Sequence, residues 1–570
     1  MKNRRTITPG FWIAGLTLLF LLLLSVAFNL FIIHGRHGAT RNTVMRAEDL
    51  IGLELTSNER SLIVEDVKEN LESYRKMREI SIDNSVAPAI AFNPEVPGLK
   101  HPKKKDRFIL STVKNLTLPE DPEELAFYSV RQLAHLIKTQ QITSTELTKM
   151  YLARLKKYGP VLECVITLTE GVALHQARQA DKEIAAGNYR GPLHGIPWGA
   201  KDLLATTGNR TTWGAMPYKD QVIDEDATVV KRLREAGAVL VAKLSMGALA
   251  WGDVWFGGRT RNPWNIEQGS SGSSAGSAAA VSAGLVAFAI GTETWGSIIS
   301  PSTRCRVTGL RPTFGRVSRY GAMALSWSMD KIGPICRSVE DCAVVFNAIK
   351  GTDGKDLTVV DRPFQWDPYL PLRKIRIGHL KNIFDRDSTN VEKNQTLLNI
   401  LRQRGADLIP VELPDFPVYP ISFILNAEAA AAFDELTRSN RDDLLVRQVR
   451  QAWPNVFRQA RFIPAVEYIQ ANRIRTMLMQ AMAEKMKGID VFVAPSYGGS
   501  TLLLTNLTGH PAVVVPVGEN KEGRSMSISF IGNLFEEGKT LAVARAFQEA
   551  TDFHLMYPDL GKQKGNRADE

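Results

Sequence analysis

Hydrophobic residues are concentrated near the start of the chain in one uninterrupted run. The sequence FWIAGLTLLFLLLLSVAFNLFII occupies residues 11–33 and contains no charged side chain. At about 1.5 Å per helical residue, a run of this length crosses a hydrocarbon core of about 30 Å. The pattern therefore predicts a single transmembrane helix, which follows the basic residues Lys2, Arg4 and Arg5.

The charges beside this segment predict its orientation. Basic residues before the helix favour a cytosolic N-terminus, which places the rest of the chain on the non-cytoplasmic side of the membrane. Arg36 and Arg41, beyond the helix, weaken this assignment. The alternative is a cleaved signal peptide with a small-x-small site at residues 25–27. Because the apolar run continues past that site, we expect residues 1–41 to form a cytosolic tail and an uncleaved signal-anchor.

Residues 42–126 combine two patterns. Up to residue 90, apolar positions recur at helical spacing among many charged positions, which predicts helices. Thr56 or Ser57 is suited to cap the second of these helices, with Glu59 in its first turn. Residues 91–125 contain prolines at short intervals and are typical of a linker or an extended wrap.

Farther along the chain, amphipathic helices alternate with short strand-like runs. Ser129 with Gln132, and Thr143 with Glu146, are capping-box patterns that each open a helix. Short β-branched runs bounded by Gly, Pro or Ser predict strands. These runs occupy residues 164–169, 238–245, 285–292, 490–496, 511–518 and 525–532.

This alternation predicts an α/β domain over residues 127–556, with a large mixed β-sheet covered by helices. A polar tail follows at residues 557–570. The net charge of +10 derives in part from residues 1–41, which carry basic side chains and no acidic ones. No nucleic-acid-binding motif accompanies the basic run at residues 103–105, so a solvated loop is favoured there and no nucleic-acid partner is expected.

The four cysteines, Cys164, Cys305, Cys336 and Cys342, lack the spacing of a metal site. In a chain of 570 residues we expect them to be buried free thiols. The alternative, in an oxidising compartment, is a disulfide between Cys336 and Cys342. The sequence thus indicates no metal and no cofactor.

The stretch GSSGSSAGS at residues 269–277 has the composition of a flexible spacer. However, SAAAVSAGLVAFAIGT, an Ala-rich helix pattern followed by a strand pattern, continues directly from it, so we place the stretch inside the domain. Gly272, Ser274 and Gly276 also match the GxSxG elbow of α/β-hydrolases. Residues 265–268, which precede the elbow, do not have a strand pattern, and this argues against that assignment.

Three motifs, taken in chain order, resemble those of the amidase signature hydrolases. HGIPWGAKD is similar to the lysine segment of that family and contains Lys201. GSSAGSAAA is similar to the usual GGSSGGSAAA and contains Ser273, and GTETWGSI is similar to GTDTGGSI and contains Ser297. The resemblance covers roughly residues 127–550 and includes RNPW at 261–264, GLRPTFGRVSRYG at 309–321 and NLTGHPAVVVPVG at 506–518.

The resemblance implies the amidase signature fold and a Ser–cis-Ser–Lys triad. Ser297 is the implied nucleophile, and Ser273, preceded by a cis peptide bond, is the implied proton relay. Lys201 is the implied base and must be neutral, which requires burial to lower its pKa from about 10.4. A hydroxyl is a weak nucleophile, and such a positioned base activates it.

Other residues near the triad have implied supporting roles. The backbone N–H groups around Thr294, Trp295, Gly296 and Ser297 are expected to form the oxyanion hole. Ser274 is expected to support the lysine through a hydrogen bond, with a purely structural role as the alternative.

The chain departs from the family pattern at two positions. Trp295 replaces the usual Gly, and a bulky indole beside the nucleophile is expected to narrow the acyl pocket. Arg306 replaces a Gly that usually follows the cysteine, which puts the local backbone conformation in doubt. Neither position belongs to the triad, so these changes bear on substrate range more than on activity. His194 and His510 are expected to be structural.

The combined expectation is a membrane-anchored serine amidase that hydrolyses carboxylic amide bonds through an acyl-enzyme. The expected substrate is a small-molecule or lipid amide, the expected membrane contact is residues 11–33, and a homodimer is left open. A catalytically silent scaffold is an alternative, but the intact triad argues against it.

Two further alternatives keep the same chemistry. The first is a glutamine-hydrolysing A subunit of a tRNA amidotransferase, because GLELTSNER and SVAPAIAF are faintly similar to the small C subunit of that enzyme. Against it, AAAFDELTRSNRDD stands where that protein has a YDGVRYG-type segment. The second is a lipid amide hydrolase resembling fatty-acid amide hydrolase, which also has a transmembrane helix before the triad, so that a lipid amide enters from the bilayer.

Overall fold

The computed structural model describes residues 39–80, 82–86, 88, 90–97, 105–113, 116–386 and 390–561. The predicted transmembrane segment at residues 11–33 lies outside these ranges, as does most of the predicted tail. Among the described residues, no helix combines the length and the apolar character that crossing a bilayer requires.

The chain divides after Asp83 into two compact units. The first contains the helices α1 (Arg41–Ile51) and α2 (Ser57–Met77). Thr56 caps α2 in a reciprocal capping box: its side chain accepts the N–H of Glu59, whose carboxylate accepts the N–H of Thr56. The predicted start of this helix is therefore confirmed.

The second unit begins at Asn84. Its helices are α3 (Val130–Lys138), α4 (Ser144–Leu162), α5 (Glu170–Ala185), α6 (Thr228–Glu235), α7 (Ala275–Ser282), α8 (Ile299–Cys305), α9 (Val339–Ile349), α10 (Lys381–Arg386), α11 (Val391–Gln403), α12 (Phe423–Ala432), α13 (Asp434–Arg438), α14 (Trp453–Ala460), α15 (Ala465–Met486), α16 (Thr501–Leu507) and α17 (Glu537–Gln548). Ser129 and Thr143 cap α3 and α4 through the predicted capping boxes with Gln132 and Glu146.

Among the described residues of this unit, the strands form one large mixed sheet and three small pairs. In chain order they are β1 (Arg107–Phe108), β2 (Val165–Leu168), β3 (Pro197–Lys201), β4 (Val239–Leu244), β5 (Val254–Trp255), β6 (Gly258–Arg259), β7 (Arg261–Asn262), β8 (Asn265–Gly269), β9 (Phe288–Glu293), β10 (Thr308–Arg311), β11 (Lys331–Cys336), β12 (Gln365–Trp366), β13 (Ile377–His379), β14 (Leu408–Pro410), β15 (Val491–Pro495), β16 (Ala512–Glu519) and β17 (Ser525–Gly532). Each of the six predicted strands is present, with small differences at the ends.

The large sheet has the strand order β14-β13-β15-β17-β16-β10-β11-β9-β3-β4-β2. β3 is parallel to both β4 and β9, whereas β9 is antiparallel to β11. This arrangement is the predicted α/β fold with a mixed sheet. Because β3 and β9 run parallel side by side, their carboxyl ends meet at the same edge of the sheet, and Lys201 and Glu293 are the last residues of these strands.

One prediction about local structure is wrong. Residues 265–268 lack a strand pattern, but β8 pairs antiparallel with β7 across a tight turn, with Asn262 opposite Asn265. Hairpin pairing with β7 stabilises this strand, and it has no buried apolar face. Its sequence therefore lacks the alternation of apolar and polar residues that predicts a strand. The hairpin is separate from the large sheet. A nucleophile elbow, which follows a strand of the central sheet, is therefore still not formed here.

The segment predicted to be a linker or an extended wrap begins within the second unit and packs against it. Phe92 lies edge-on against Phe314, with ring centroids 5.0 Å apart, and the Arg475 guanidinium lies 3.6 Å from the centroid of the Phe92 ring. β1 pairs parallel with β12. All four cysteines are buried free thiols, as predicted.

Asn84 joins two distant parts of this unit through its side-chain amide. The amide donates to the carbonyls of Ala324 (3.0 Å) and Ala432 (3.3 Å), and it accepts the N–H of Ala324 (2.7 Å). We expect Asn84→Ala to lower the free energy of unfolding by about 1–2 kcal/mol, because the partly buried backbone groups lose their partner. Denaturant unfolding of the full chain measures the difference.

Asn93→Ala is the matched control for this stability measurement. The amide of Asn93 lies in the same segment, is exposed and accepts the N–H of Glu95 two residues away. Its replacement is expected to change the unfolding free energy by less than about 0.5 kcal/mol. Equal losses in the Asn84 and Asn93 variants would contradict the bridging role of Asn84.

Candidate active site

Three segments bring the predicted catalytic residues together at the edge of the sheet. Lys201 ends β3, Ser273 precedes α7, and Ser297 follows β9. The Lys201 Nζ atom lies 2.8 Å from the Ser273 Oγ atom, and the N–H of Ser274 donates to the carbonyl of Ser297 (3.2 Å). A direct hydrogen bond between the Ser273 and Ser297 hydroxyls is not among the contacts of the described residues.

Lys201 is completely buried, and its hydrogen-bond partners are uncharged. Besides Ser273, its Nζ atom contacts the Thr292 Oγ1 atom (2.8 Å), the Ser274 Oγ atom (3.1 Å) and the Thr292 carbonyl (3.4 Å). Burial lowers the pKa of Lys201 from 10.5 to about 7, although the charges of Asp330 and Glu293 act in the opposite direction. The lysine is therefore neutral in a large fraction of the molecules at neutral pH.

The glycines beside Ser273 are explained by close backbone approach. The Gly272–Ser273 peptide bond is cis, as predicted. A Cβ atom on Gly272 would lie 1.8 Å from the carbonyl oxygen of Gly252, and one on Gly276 would lie 2.5 Å from the carbonyl oxygen of Cys164. Residues 269–277 are thus a packed part of the domain and not a spacer.

The loop at residues 294–297 presents unpaired backbone donors. Among the hydrogen bonds of the described residues, none uses the N–H of Trp295, Gly296 or Ser297. Gly296 adopts φ +90°, a conformation that favours glycine. The hydroxyl of Thr294, at the start of the loop, donates to the Asp330 carboxylate (2.5 Å). The loop can therefore offer several N–H groups to an anionic oxygen.

Glu293 holds the chain immediately after this loop. Its carboxylate accepts the N–H groups of Ile298 (2.8 Å) and Ile299 (2.9 Å). On its other side it accepts hydrogen bonds from Arg311 (2.8 Å) and Asn506 (2.9 Å), all within the buried interior. Although burial raises the pKa of Glu293, the Arg311 guanidinium and these donors hold that pKa below its usual value. The carboxylate is ionised and fixes the position of the loop.

Asp330 fixes the same loop from the opposite side. It accepts the hydroxyl of Thr294 through one oxygen and the N–H groups of Leu325 (2.8 Å) and Ser326 (2.9 Å) through the other. Burial raises the pKa of Asp330 above its usual value, and the donors act against that shift. The neighbouring Lys331 is also buried, and burial lowers the pKa of its amine.

Sequence reasoning missed three of these residues as parts of the site. Thr292 and Glu293 lie inside GTETWGSI, so their positions in the motif were a usable signal. Asp330 carries no local motif signal, because its contact with Thr294 arises only from the pairing of β9 with β11.

The two histidines considered in the sequence analysis lie in structural settings. His510 is buried, pairs through Nδ1 with the hydroxyl of Thr508 (2.8 Å), and its pKa is lowered by burial to about 3. His194 is buried beside Glu183 at 3.2 Å and accepts the N–H of Arg190. Neither histidine has a contact with the Lys201–Ser273 pair among the described residues.

Arg306 keeps the left-handed conformation that a glycine adopts easily. Its φ of +55° ends α8, and its guanidinium lies 4.2 Å from the centroid of the Trp264 ring and forms an ion pair with Glu519. The local backbone conformation that the sequence left in doubt is thus a left-handed turn at the end of α8.

The mixed sheet with its helices, and the buried lysine beside a serine on a cis peptide, are the features that the resemblance to the amidase signature hydrolases implies, a class of enzymes that acts on carbon–nitrogen amide bonds. The family model named Amidase matches residues 146–541. The chain therefore belongs to the amidase family.

Individual proteins agree with this assignment. The A subunit of glutamyl-tRNA(Gln) amidotransferase from Marinomonas sp. (strain MWYL1) is 33% identical over 484 residues, or 76% of this chain and 99% of that protein. The native peptide amidase from Stenotrophomonas maltophilia has a TM-score of 0.68 at 30% identity, covering 76% of this chain and 98% of that one. The corresponding A subunit from Thermotoga maritima has a TM-score of 0.65 at 27% identity, covering 77% and 98%.

Proposed function

We propose that this protein is a serine amidase in which Ser297 is the nucleophile, Ser273 relays the proton and Lys201 is the base. The observation that carries the proposal is the 2.8 Å contact between Lys201 and Ser273, made by a lysine whose pKa burial lowers to about 7. A neutral amine accepts a proton, whereas an ammonium does not, so this environment suits a general base.

The reaction follows from these positions. Lys201 accepts the proton of Ser273, which accepts the proton of Ser297 as the Ser297 oxygen attacks the amide carbonyl. When the tetrahedral intermediate collapses, the carbon–nitrogen bond breaks and the leaving amine takes the proton back through Ser273. Water then attacks the acyl-enzyme with the same proton path, and the carboxylic acid leaves.

The loop at residues 294–297 is proposed to stabilise the oxyanion. Its unpaired N–H groups at Trp295, Gly296 and Ser297 support this role, because donors fixed in place before the reaction need no reorganisation. Glu293 and Asp330 hold the two sides of the loop. Ser274 is proposed to orient the lysine through its 3.1 Å contact.

We also propose that residues 11–33 anchor the enzyme in a membrane as a single-pass helix, with the catalytic domain on the non-cytoplasmic side. The uninterrupted apolar run and the basic residues before it support this proposal. The helices of the first unit, which ends at Asp83, are proposed to connect the anchor to the catalytic unit that begins at Asn84. A lipid amide that enters from the bilayer fits this arrangement.

Similarity to the amidotransferase A subunits favours a second candidate, a glutamine-hydrolysing protein that works in a complex. The segment at residues 430–443 has a different sequence from the YDGVRYG-type segment of those proteins. Here Asp434 forms ion pairs with Arg438 (2.6 Å) and with Arg461. We therefore favour hydrolysis by this chain itself.

A substrate panel tests the two candidates. We expect the full chain alone to release ammonia from propionamide, a short amide, and to do so at least tenfold faster than from L-glutamine, because the uncharged amide needs no counter-ions. Ammonia release is measured with an enzyme-coupled assay. Hydrolysis of glutamine alone would favour the second candidate. Hydrolysis of propionamide without hydrolysis of oleamide would contradict the lipid substrate.

A further inference from the structure

Three exposed aromatic rings lie close to the proposed nucleophile. Trp295, two residues before Ser297, is 38% exposed, and Tyr419 and Tyr497 are 55% and 59% exposed. They come from three separate parts of the chain. We call Trp295, Tyr419 and Tyr497 the aromatic rim.

Direct contacts tie the aromatic rim to the nucleophile loop. The Trp295 and Tyr419 ring centroids are 6.2 Å apart, with an angle of 52° between the planes. The Tyr419 hydroxyl donates to the carbonyl of Gly499 (3.3 Å), and the Tyr497 hydroxyl donates to the carbonyl of Ser300 (3.4 Å). Both tyrosines are thus fixed at their hydroxyl ends, which leaves ring surface exposed.

The groups packed under the loop at Gly296 are apolar or uncharged. A Cβ atom on Gly296 would lie 3.0 Å from the Leu502 side chain and 3.1 Å from the Ser300 hydroxyl, so these groups pack directly under the loop. The partners of the tyrosine hydroxyls are backbone carbonyls. Together with the exposed rings, this surface offers broad apolar faces to a ring.

We propose that the aromatic rim is a substrate subsite that binds an aromatic or similarly broad apolar group next to the scissile carbonyl. This inference rests on the proposed function, because it requires Ser297 to be the reacting residue. The exposed faces beside the reacting group provide the area for offset or edge-on ring packing. The enzyme then hydrolyses amides that carry such a group faster than it hydrolyses small amides.

Two pairs of reagents test the subsite on the purified full-length chain. The first pair, phenylmethanesulfonyl fluoride and methanesulfonyl fluoride, differs by one phenyl group on the acyl side. In each reaction the Ser297 oxygen bonds to sulfur, fluoride leaves, and the proton passes through Ser273 to Lys201. The second pair, N-benzylpropionamide and N-methylpropionamide, places the phenyl group on the amine side and is followed by amine release.

The measured quantity is the rate ratio of the phenyl reagent to its methyl counterpart in each pair. We expect the wild type to favour the phenyl reagent in at least one pair. Trp295→Gly and Tyr419→Ala should each reduce that ratio about tenfold, because each removes one packing face. Tyr369→Ala is the control: Tyr369 is also 59% exposed but contacts Thr112, and its loss should leave both ratios unchanged.

Each outcome decides between the explanations. A wild-type ratio near one in both pairs, or equal slowing of the phenyl and methyl reagents in the rim variants, would overturn the subsite while leaving Ser297 as the nucleophile. Labelling that persists in Ser297→Ala, or no reaction with any of the four reagents, would contradict the proposed function and the subsite together.

Discussion

Replacing Ser297 with alanine is expected to lower kcat/KM for a short amide by roughly 10⁴-fold or more, and to abolish labelling by a fluorophosphonate probe. The reason is chemical: without the Ser297 oxygen no acyl-enzyme forms, whereas Lys201, Ser273 and the loop N–H groups remain in place. The rate of ammonia release and the probe signal on a gel measure the two effects.

Ser277→Ala is the matched control for this experiment. Ser277 lies in the same Gly/Ser stretch as Ser273, but its hydroxyl donates to the carbonyl of Ile290 (3.0 Å) and not to the lysine. Its loss is expected to preserve labelling. Equal labelling of the wild type and the Ser297 variant would show that another residue reacts, and our assignment of the nucleophile would be wrong.

Those elements of the fold that depend on local signals could be predicted from the sequence. Capping boxes at Ser129 and Thr143 identified helix starts, and six β-branched runs identified strands. Both signals depend on only a few adjacent residues. The order of strands in the large sheet could not be predicted in this way. For example, β16 pairs with β10, which joins segments about 200 residues apart in the chain.

The same limit applies to the site. The motifs that carry Lys201, Ser273 and Ser297 were recognisable, and the structure brings their segments together. Of the two carboxylates that fix the loop, Glu293 lies inside GTETWGSI, whereas Asp330 has no motif signal and its role depends on tertiary contacts. Glu293 at the end of β9 binds Arg311 at the end of β10, and β11 lies between these two strands. Asp330, directly before β11, accepts the hydroxyl of Thr294, directly after β9. A single sequence without structure gives no distance between such residues.

The lowered pKa of Lys201 predicts a strong dependence of kcat/KM on pH. Its pKa of about 7 results from burial, which disfavours the ammonium form, and the charges of Asp330 and Glu293 keep the pKa from falling further. If the neutral amine is the active form, kcat/KM rises as pH increases towards 7 and becomes constant above it. At pH 5, two units below this pKa, the rate is expected to be about 100-fold lower than the plateau.

Two variants assign this pH dependence to the lysine. Lys201→Ala is expected to lower kcat/KM by roughly 10³-fold and to remove the inflection near pH 7, because the base is absent. Asp330→Asn removes a negative charge that favours the ammonium form, so the midpoint should move to lower pH. The asparagine can still accept from Leu325 or Ser326, which limits the structural disturbance.

A remote carboxylate provides the control for the shift. Asp220→Asn changes the net charge by the same amount at an exposed site near Arg210, and it should leave the midpoint unchanged. A profile of kcat/KM that is flat between pH 5 and 8, or a midpoint that moves to higher pH in Asp330→Asn, would contradict Lys201 as the base. If the midpoint of the kcat/KM profile moves to lower pH in Asp330→Asn but not in Asp220→Asn, the base must interact with the charge of Asp330 and must be active in its neutral form. The buried Lys201 beside Ser273 meets both conditions.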